Sequence, residues 1–126
     1  IQKIIKKFKK KKIRTSLFIN PNLRDIKVAK ELNADCIELH TGKISNLIKS
    51  KKKYINEYKK IKKCCEAAKK MGLEVHAGHG LDYKATAILS KLKEIEEFNI
   101  GHFIIGESIV HGLKKTIKRF KKISNS

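Results

Sequence analysis

Short β-rich runs and helical stripes alternate along the whole of this chain, and no hairpin turn joins one run directly to the next. Residues 1–12 carry a helical pattern with Ile1, Ile4, Ile5 and Phe8 on one face. Residues 13–19 read as a strand ended by Asn20-Pro21-Asn22. Asn22 is a suitable N-cap, and Ile26, Ala29 and Leu32 then recur at helical spacing. Residues 36–40 form a second strand, with Ile37 and Leu39 on one face and Cys36, Glu38 and His40 on the other. Residues 41–53 read as a polar loop. A helix follows through Tyr54, Tyr58, Ile61, Cys65 and Ala68, with Gly72 at the position of a C′ glycine. Residues 73–77 are the third strand, leading into Gly78-His79-Gly80 and a helix over residues 84–95. The fourth strand is 98–100, after which Phe103, Gly106, Val110, Leu113, Ile117 and Phe120 step by three or four, with Gly112 as a candidate break. Residues 124–126 read as a frayed tail.

That order demands parallel strands joined by right-handed crossovers. Four such units fit either a small doubly wound sheet or half of an eight-stranded barrel, and periodicity does not choose between them. The lack of a G-x-G-x-x-G after the first strand weighs against a dinucleotide fold. Because the chain opens on Ile1 inside a helical pattern, it reads as a piece of a longer protein, a single partial domain over residues 1–126.

A net charge of +19 raises the question of nucleic acid. The lysines are spread over every expected helix, Arg is scarce, aromatics make up only 6%, and those beside basic runs, Phe8, Tyr54, Tyr58 and Phe120, belong to the apolar helical stripes and not to a stacking platform. A basic nucleic-acid-binding α/β domain is therefore the alternative and not the first reading. No stretch approaches the roughly 18 consecutive apolar residues of a membrane span, and residues 1–12 lack the apolar core and cleavage site of a secretory signal. Three cysteines, two of them adjacent and none in a C-x-x-C, suggest reduced thiols in a cytoplasmic protein.

In parallel α/β folds ligands gather at the C-terminal ends of the strands. Those ends are expected at Asn20, at Glu38 to Gly42, at His76 to Gly80 and at Asn99 to His102, and they hold four of the five histidines. A carboxylate within an otherwise apolar parallel strand, Glu38, suits a site mouth better than a solvent face. His79 lies between two glycines that permit a tight turn and close ligand approach, and its imidazole is a candidate general acid or base, with a structural loop histidine as the plain alternative. Gly101 and His102 precede a helix, whose N-terminus offers free N–H groups to a phosphate. The H-x-x-H spacing of His76 and His79, with His40 and His102 nearby, leaves open a metal-dependent hydrolase.

The runs Ser16-Leu17-Phe18-Ile19-Asn20, Ile37-Glu38-Leu39-His40-Thr41-Gly42, Val75-His76-Ala77-Gly78-His79-Gly80-Leu81 and Asn99-Ile100-Gly101-His102-Phe103-Ile104-Ile105-Gly106 resemble, in order and near spacing, the strand-end motifs of the pyridoxine 5′-phosphate synthase family. The resemblance runs from Ile13 onward. It implies the C-terminal half, strands five to eight with their helices, of a TIM (β/α)8 barrel, with residues 1–12 as the barrel helix before the first of these strands. It also implies a homo-oligomeric, cytoplasmic enzyme that condenses 3-amino-2-oxopropyl phosphate with 1-deoxy-D-xylulose 5-phosphate, using no metal and no organic cofactor. On the same ground His79 matches a proton donor and Glu38 a transition-state stabiliser, while Gly80, Gly101 and His102 match positions that bind the amino-ketone phosphate. Small phosphorylated substrates, not nucleic acid or membrane, are the implied partners. Two residues depart from the family pattern: His76 stands where Asn is usual, and Glu107 where some relatives are basic. Further acid–base groups and the deoxyxylulose phosphate site belong to the family's N-terminal half, so this chain alone is expected to be inactive.

Overall fold

Alternating apolar side chains in each β run are buried by one face of a four-stranded parallel sheet in the computed structural model, which describes residues 1–124. The order is α1 (Gln2–Lys10), β1 (Ser16–Ile19), α2 (Leu23–Glu31), β2 (Cys36–His40), α3 (Gly42–Lys49), α4 (Ile55–Lys70), β3 (Glu74–Gly78), α5 (Tyr83–Leu89), β4 (Ile95–Asn99), α6 (His102–His111) and α7 (Leu113–Ser124). The strands lie side by side as β1-β2-β3-β4, all parallel. A doubly wound sheet reverses its order at a switch point. This one never reverses, so crossovers of one hand carry the connecting helices to the same face.

On that face Ile37, Leu39 and Val75 are fully buried against Ile26, Ile61, Cys65, Ala68 and Leu89. Truncating any one of the large residues to Ala costs about 2–5 kcal/mol in cores of this kind. The opposite face is polar. Register sets Glu38 beside His76 and His40 beside Gly78, with Glu97 and Asn99 across from His76 and Gly78 on β4. No helix covers Phe18 there, and it stays 55% exposed. Burial pushes the Cys65 thiol up to about 12 and raises that of Cys64, and all three cysteines are free and buried.

Local signals set the ends of several elements. Asn22 caps α2 by accepting from the Asp25 N–H at 2.8 Å. Gly72, at φ +70°, ends α4 with the Gly72 N–H bonded to Lys69 and the Leu73 N–H to Ala68, the paired bonds of a Schellman motif. Gly112, at φ +80°, divides the last helical stripe into α6 and α7.

Four expectations need correction. Most of residues 41–53 is no loop, because Ile44 and Ile48, one turn apart, anchor α3 in the core, and only residues 50–53 connect it to α4. The helix expected over 84–95 stops at Leu89: Leu92 continues the apolar spacing but fills the core from a turn, and Ile95 already belongs to β4. Strand β4 therefore begins earlier than residue 98, and it bulges at Glu96, opposite the step from Val75 to His76, which leaves Glu96 to pair with Lys69. Strand β1 is shorter than residues 13–19, beginning only at Ser16. Of the tail, Ser124 ends α7, and residues 125–126 lie outside the described residues.

Asp35 fastens the start of the sheet. Its carboxylate accepts from the Thr15 N–H at 2.8 Å and the Thr15 hydroxyl at 3.0 Å, and it faces Lys9 at 3.3 Å. The Thr15 N–H first, then its hydroxyl and Lys9, hold this carboxyl below its ordinary value against the opposing effect of burial. A depressed folded value means that the contribution is complete above the unfolded value near pH 4 and is lost as pH falls through the folded one. Asp35→Ala should therefore cost about 1 kcal/mol at pH 7, and its melting curve should converge on the parent's in strong acid. An equal gap between the two at pH 7 and pH 2 would contradict this role.

Candidate active site

The register places the ends of β2, β3 and β4 level with one another, so the residues following each strand meet around one mouth. A cleft of about 660 Å³ opens there, lined by Glu38, His79, Gly80, Gly101 and His102. All five residues singled out in the sequence thus share one cavity. Phe18, Lys49, Asp82, Asn99 and Glu107 complete much of its wall.

Glu38 is held from two directions. The Asn99 side-chain N–H donates to its Oε2 at 2.8 Å. On the other side, a Cβ added to Gly78 would fall 2.0 Å from Glu38 Oε1. Gly78 is thus not a turn residue, as its place beside His79 suggested, but the last residue of β3, whose missing side chain makes room for the carboxylate.

His79 carries the strained backbone instead. Its φ is +78°, a region few non-glycine residues enter, and Gly80 follows at +76°. Its ring stacks on that of His40, with centroids 4.5 Å apart and planes at 27°, and Phe18 closes on both rings. The Gly42 N–H donates to His40 Nδ1 at 3.3 Å, which leaves Nε2 as the protonated nitrogen of the neutral ring. A Cβ on Gly42 would meet the two imidazoles at 2.7 and 2.8 Å, so this glycine serves as the floor of the stack. The Thr41 hydroxyl, fully buried, shares its one proton between the Gly78 carbonyl at 2.7 Å and the His79 carbonyl at 2.9 Å.

Gly101 lies two residues past the end of β4 and is the N-cap of α6, with open space where a side chain would stand. His102 begins the helix, one residue earlier than the stripe suggested. Glu107 lines the same cleft and faces His111 at 3.8 Å.

His76 is the exception among the four histidines expected at strand ends. It sits mid-strand, buried and outside the cleft lining, where its Nε2 donates to Glu74 at 2.8 Å and its Nδ1 lies 3.6 Å from Glu97. His76 first and Arg14 second hold the Glu74 carboxyl below its ordinary value. The H-x-x-H spacing therefore does not bring two imidazoles together. Among the described residues no cluster of three or more His, Cys, Asp or Glu is placed to hold a metal ion. Sequence reasoning also missed Asn99, Thr41 and Gly42. Each lay inside a quoted motif, but their roles depend on contacts between strands.

The family model described as "Pyridoxal phosphate biosynthesis protein PdxJ" matches residues 1–126. A pyridoxine 5′-phosphate synthase of Pelagibacter ubique is 74% identical over 125 residues, covering 99% of this chain and 52% of that protein. Those of a Sulfurihydrogenibium species and of Zymomonas mobilis are 42% and 45% identical, over 98% and 90% of this chain and 50% and 44% of their own. The chain spans about half the length of these curated relatives.

If Gly78 exists to admit the carboxylate, Gly78→Ala should fold with a loss of about 1–3 kcal/mol and push Glu38 out of reach of Asn99. A crystal structure, or the Asn99 side-chain amide resonances, would reveal the displacement. An unchanged Glu38–Asn99 bond in the variant would refute this reading of Gly78.

Proposed function

Because the chain belongs to the PdxJ family of pyridoxal phosphate biosynthesis proteins, we propose that it supplies the C-terminal half of a pyridoxine 5′-phosphate synthase. The reaction is the condensation of 3-amino-2-oxopropyl phosphate with 1-deoxy-D-xylulose 5-phosphate to pyridoxine 5′-phosphate, phosphate and water, a transferase reaction in the cytoplasm. The observation that carries the reading is the convergence of Glu38, His79, Gly80, Gly101 and His102 on one cleft at the strand ends.

The fold supports a half-barrel. Strand order is sequential, β1 and β4 each keep one unpaired edge, and the polar sheet face lies open. Exposed Ile1, Ile4, Phe8 and Ile13 on and beside α1 add an apolar surface for the missing units. In the complete (β/α)8 barrel these strands are the fifth to the eighth, and residues 1–126 are one partial domain. The exposed side of α6, with Ile105, Ile109 and Val110, supports association of complete barrels into a homo-oligomer.

Imine formation, two dehydrations and a ring-closing aldol step all move protons, so positioned acid–base groups supply the catalysis. His79 is the proton donor, exposed at the mouth and backed by His40. Glu38, fixed by Asn99, stabilises a developing iminium charge. The amino-ketone phosphate rests at the N-terminus of α6 on the N–H groups around Gly101 and His102, close to Gly80. Phosphate binding there orients the reacting end toward His79.

The test is to join this chain to the N-terminal half of the Pelagibacter ubique relative and assay product. The joined protein should turn over, whereas the 126-residue chain alone should not; activity of the chain alone, or none in the joined protein, would overturn the reading. Within the joined enzyme His79→Ala should lower kcat by about 10²-fold or more with a smaller effect on substrate binding, and undiminished turnover would return His79 to a structural role. Gly101→Val should weaken phosphate binding far more than His102→Ala, since a branched side chain blocks the anion's approach to the backbone. Equal binding by Gly101→Val and the parent in a titration with inorganic phosphate would move the site elsewhere.

A further inference from the structure

Thr41 occupies the N-cap position of α3, where a threonine hydroxyl ordinarily accepts from an N–H of the first helical turn. It does not do so here: the side chain makes no cap hydrogen bond. The hydroxyl turns instead toward the neighbouring strand end, sharing its one proton between the carbonyls of Gly78 and His79, at 2.7 and 2.9 Å. The Thr41 N–H also bonds to the Gly78 carbonyl at 2.8 Å, so the β2–β3 ladder is extended by one residue and doubled by the side chain.

What these bonds grip is the strained peptide of the site. His79 stands at φ +78°, and such a conformation persists only where its surroundings over-determine it. The Gly78 and His79 carbonyls stand on either side of that φ bond, and Thr41 contacts both. The neighbouring residues on the same segment complete the grip, His40 by stacking on the imidazole and Gly42 by leaving room beneath it.

We propose that Thr41 is a positioning residue, whose buried hydroxyl fixes the left-handed backbone of His79 and so aims its imidazole at the reacting atoms. This rests on the reading of His79 as the proton donor. Thr41 itself touches no substrate: it is fully buried and does not line the cleft. Helix α3 has no side-chain cap, because the Thr41 hydroxyl is engaged in this contact.

The experiment uses the joined enzyme and the variants Thr41→Val, which keeps the shape and loses the hydroxyl, and Thr41→Ser, which keeps the hydroxyl. Thr41→Val should lower kcat about 10- to 100-fold while KM for the amino-ketone phosphate moves less than about threefold, and Thr41→Ser should restore most of kcat. Parent-like kcat in Thr41→Val, or a loss shared equally by Thr41→Ser, overturns the proposal. A second readout does not need activity: the ring-proton NMR shifts of His40 and His79, set by their stacking, should change in Thr41→Val and persist in Thr41→Ser. Unchanged ring shifts in Thr41→Val overturn the proposal even if the joined protein makes no product, an outcome that would separately defeat the assigned reaction. Should Thr41→Val fail to fold, Thr41→Ala is read by the same two measures.

Discussion

Parallel register is the constraint on which the rest of this structure depends. With His40 opposite Gly78 and Gly78 opposite Asn99, the ends of three strands come level, and residues 61 positions apart in the chain meet within hydrogen-bond distance. Side chains alternate along each strand, so a slip of one residue would turn Glu38 into the apolar core and Leu39 into the cleft. The buried Ile37, Leu39 and Val75 oppose that slip, and the burial that stabilises the sheet thus also aims the carboxylate.

The two faces of the sheet are built by different forces. Apolar side chains under the helices supply most of the driving force for folding. The other face is organised in layers: Arg14, Glu74, His76 and Glu97 at the bottom, Glu38 and Asn99 above them, and the stacked imidazoles of His40 and His79 at the mouth. Within the lower layer Glu74 and Glu97 give the buried His76 ring polar partners it would be costly to lack. Glycine recurs where this face is most crowded. Gly78 yields space to Glu38 and Gly42 to the histidine rings, so two positions resembling turn punctuation are packing positions.

The sequence made legible those features that rest on local chemistry. The alternation of strands and helices, the Asn22 cap, the glycine stop at Gly72 and the break at Gly112 are all decided within a few residues. That Glu38, His79, Gly80, Gly101 and His102 meet at one cleft was legible because all five stand at or near strand ends. Helix α3 was hidden because its eight residues are largely polar and only Ile44 and Ile48 mark the buried side. The start of β4 was hidden because Glu96 and Glu97 look like a solvated loop, whereas Glu97 stands on the polar sheet face beside His76 and Glu96 forms a bulge. His76 looked like a strand-end ligand because its position relative to Glu74 and Glu97 exists only across strands. The net charge of +19 pointed toward nucleic acid, yet the cleft itself is lined by Glu38, Asp82 and Glu107 with Lys49.

At the centre of this account is the claim that the open sheet is completed by further β/α units, which pair with both of its edges. Hydrogen exchange measures this directly, by following the outward-facing amides of β1 (Ser16–Ile19) and β4 (Ile95–Asn99) with and without the N-terminal half. The account predicts that both sets exchange quickly in this chain alone and become protected together once the N-terminal half is joined, while the β2 and β3 amides change little. Edge amides that remain unprotected in the joined protein, or protection at one edge only, would contradict it.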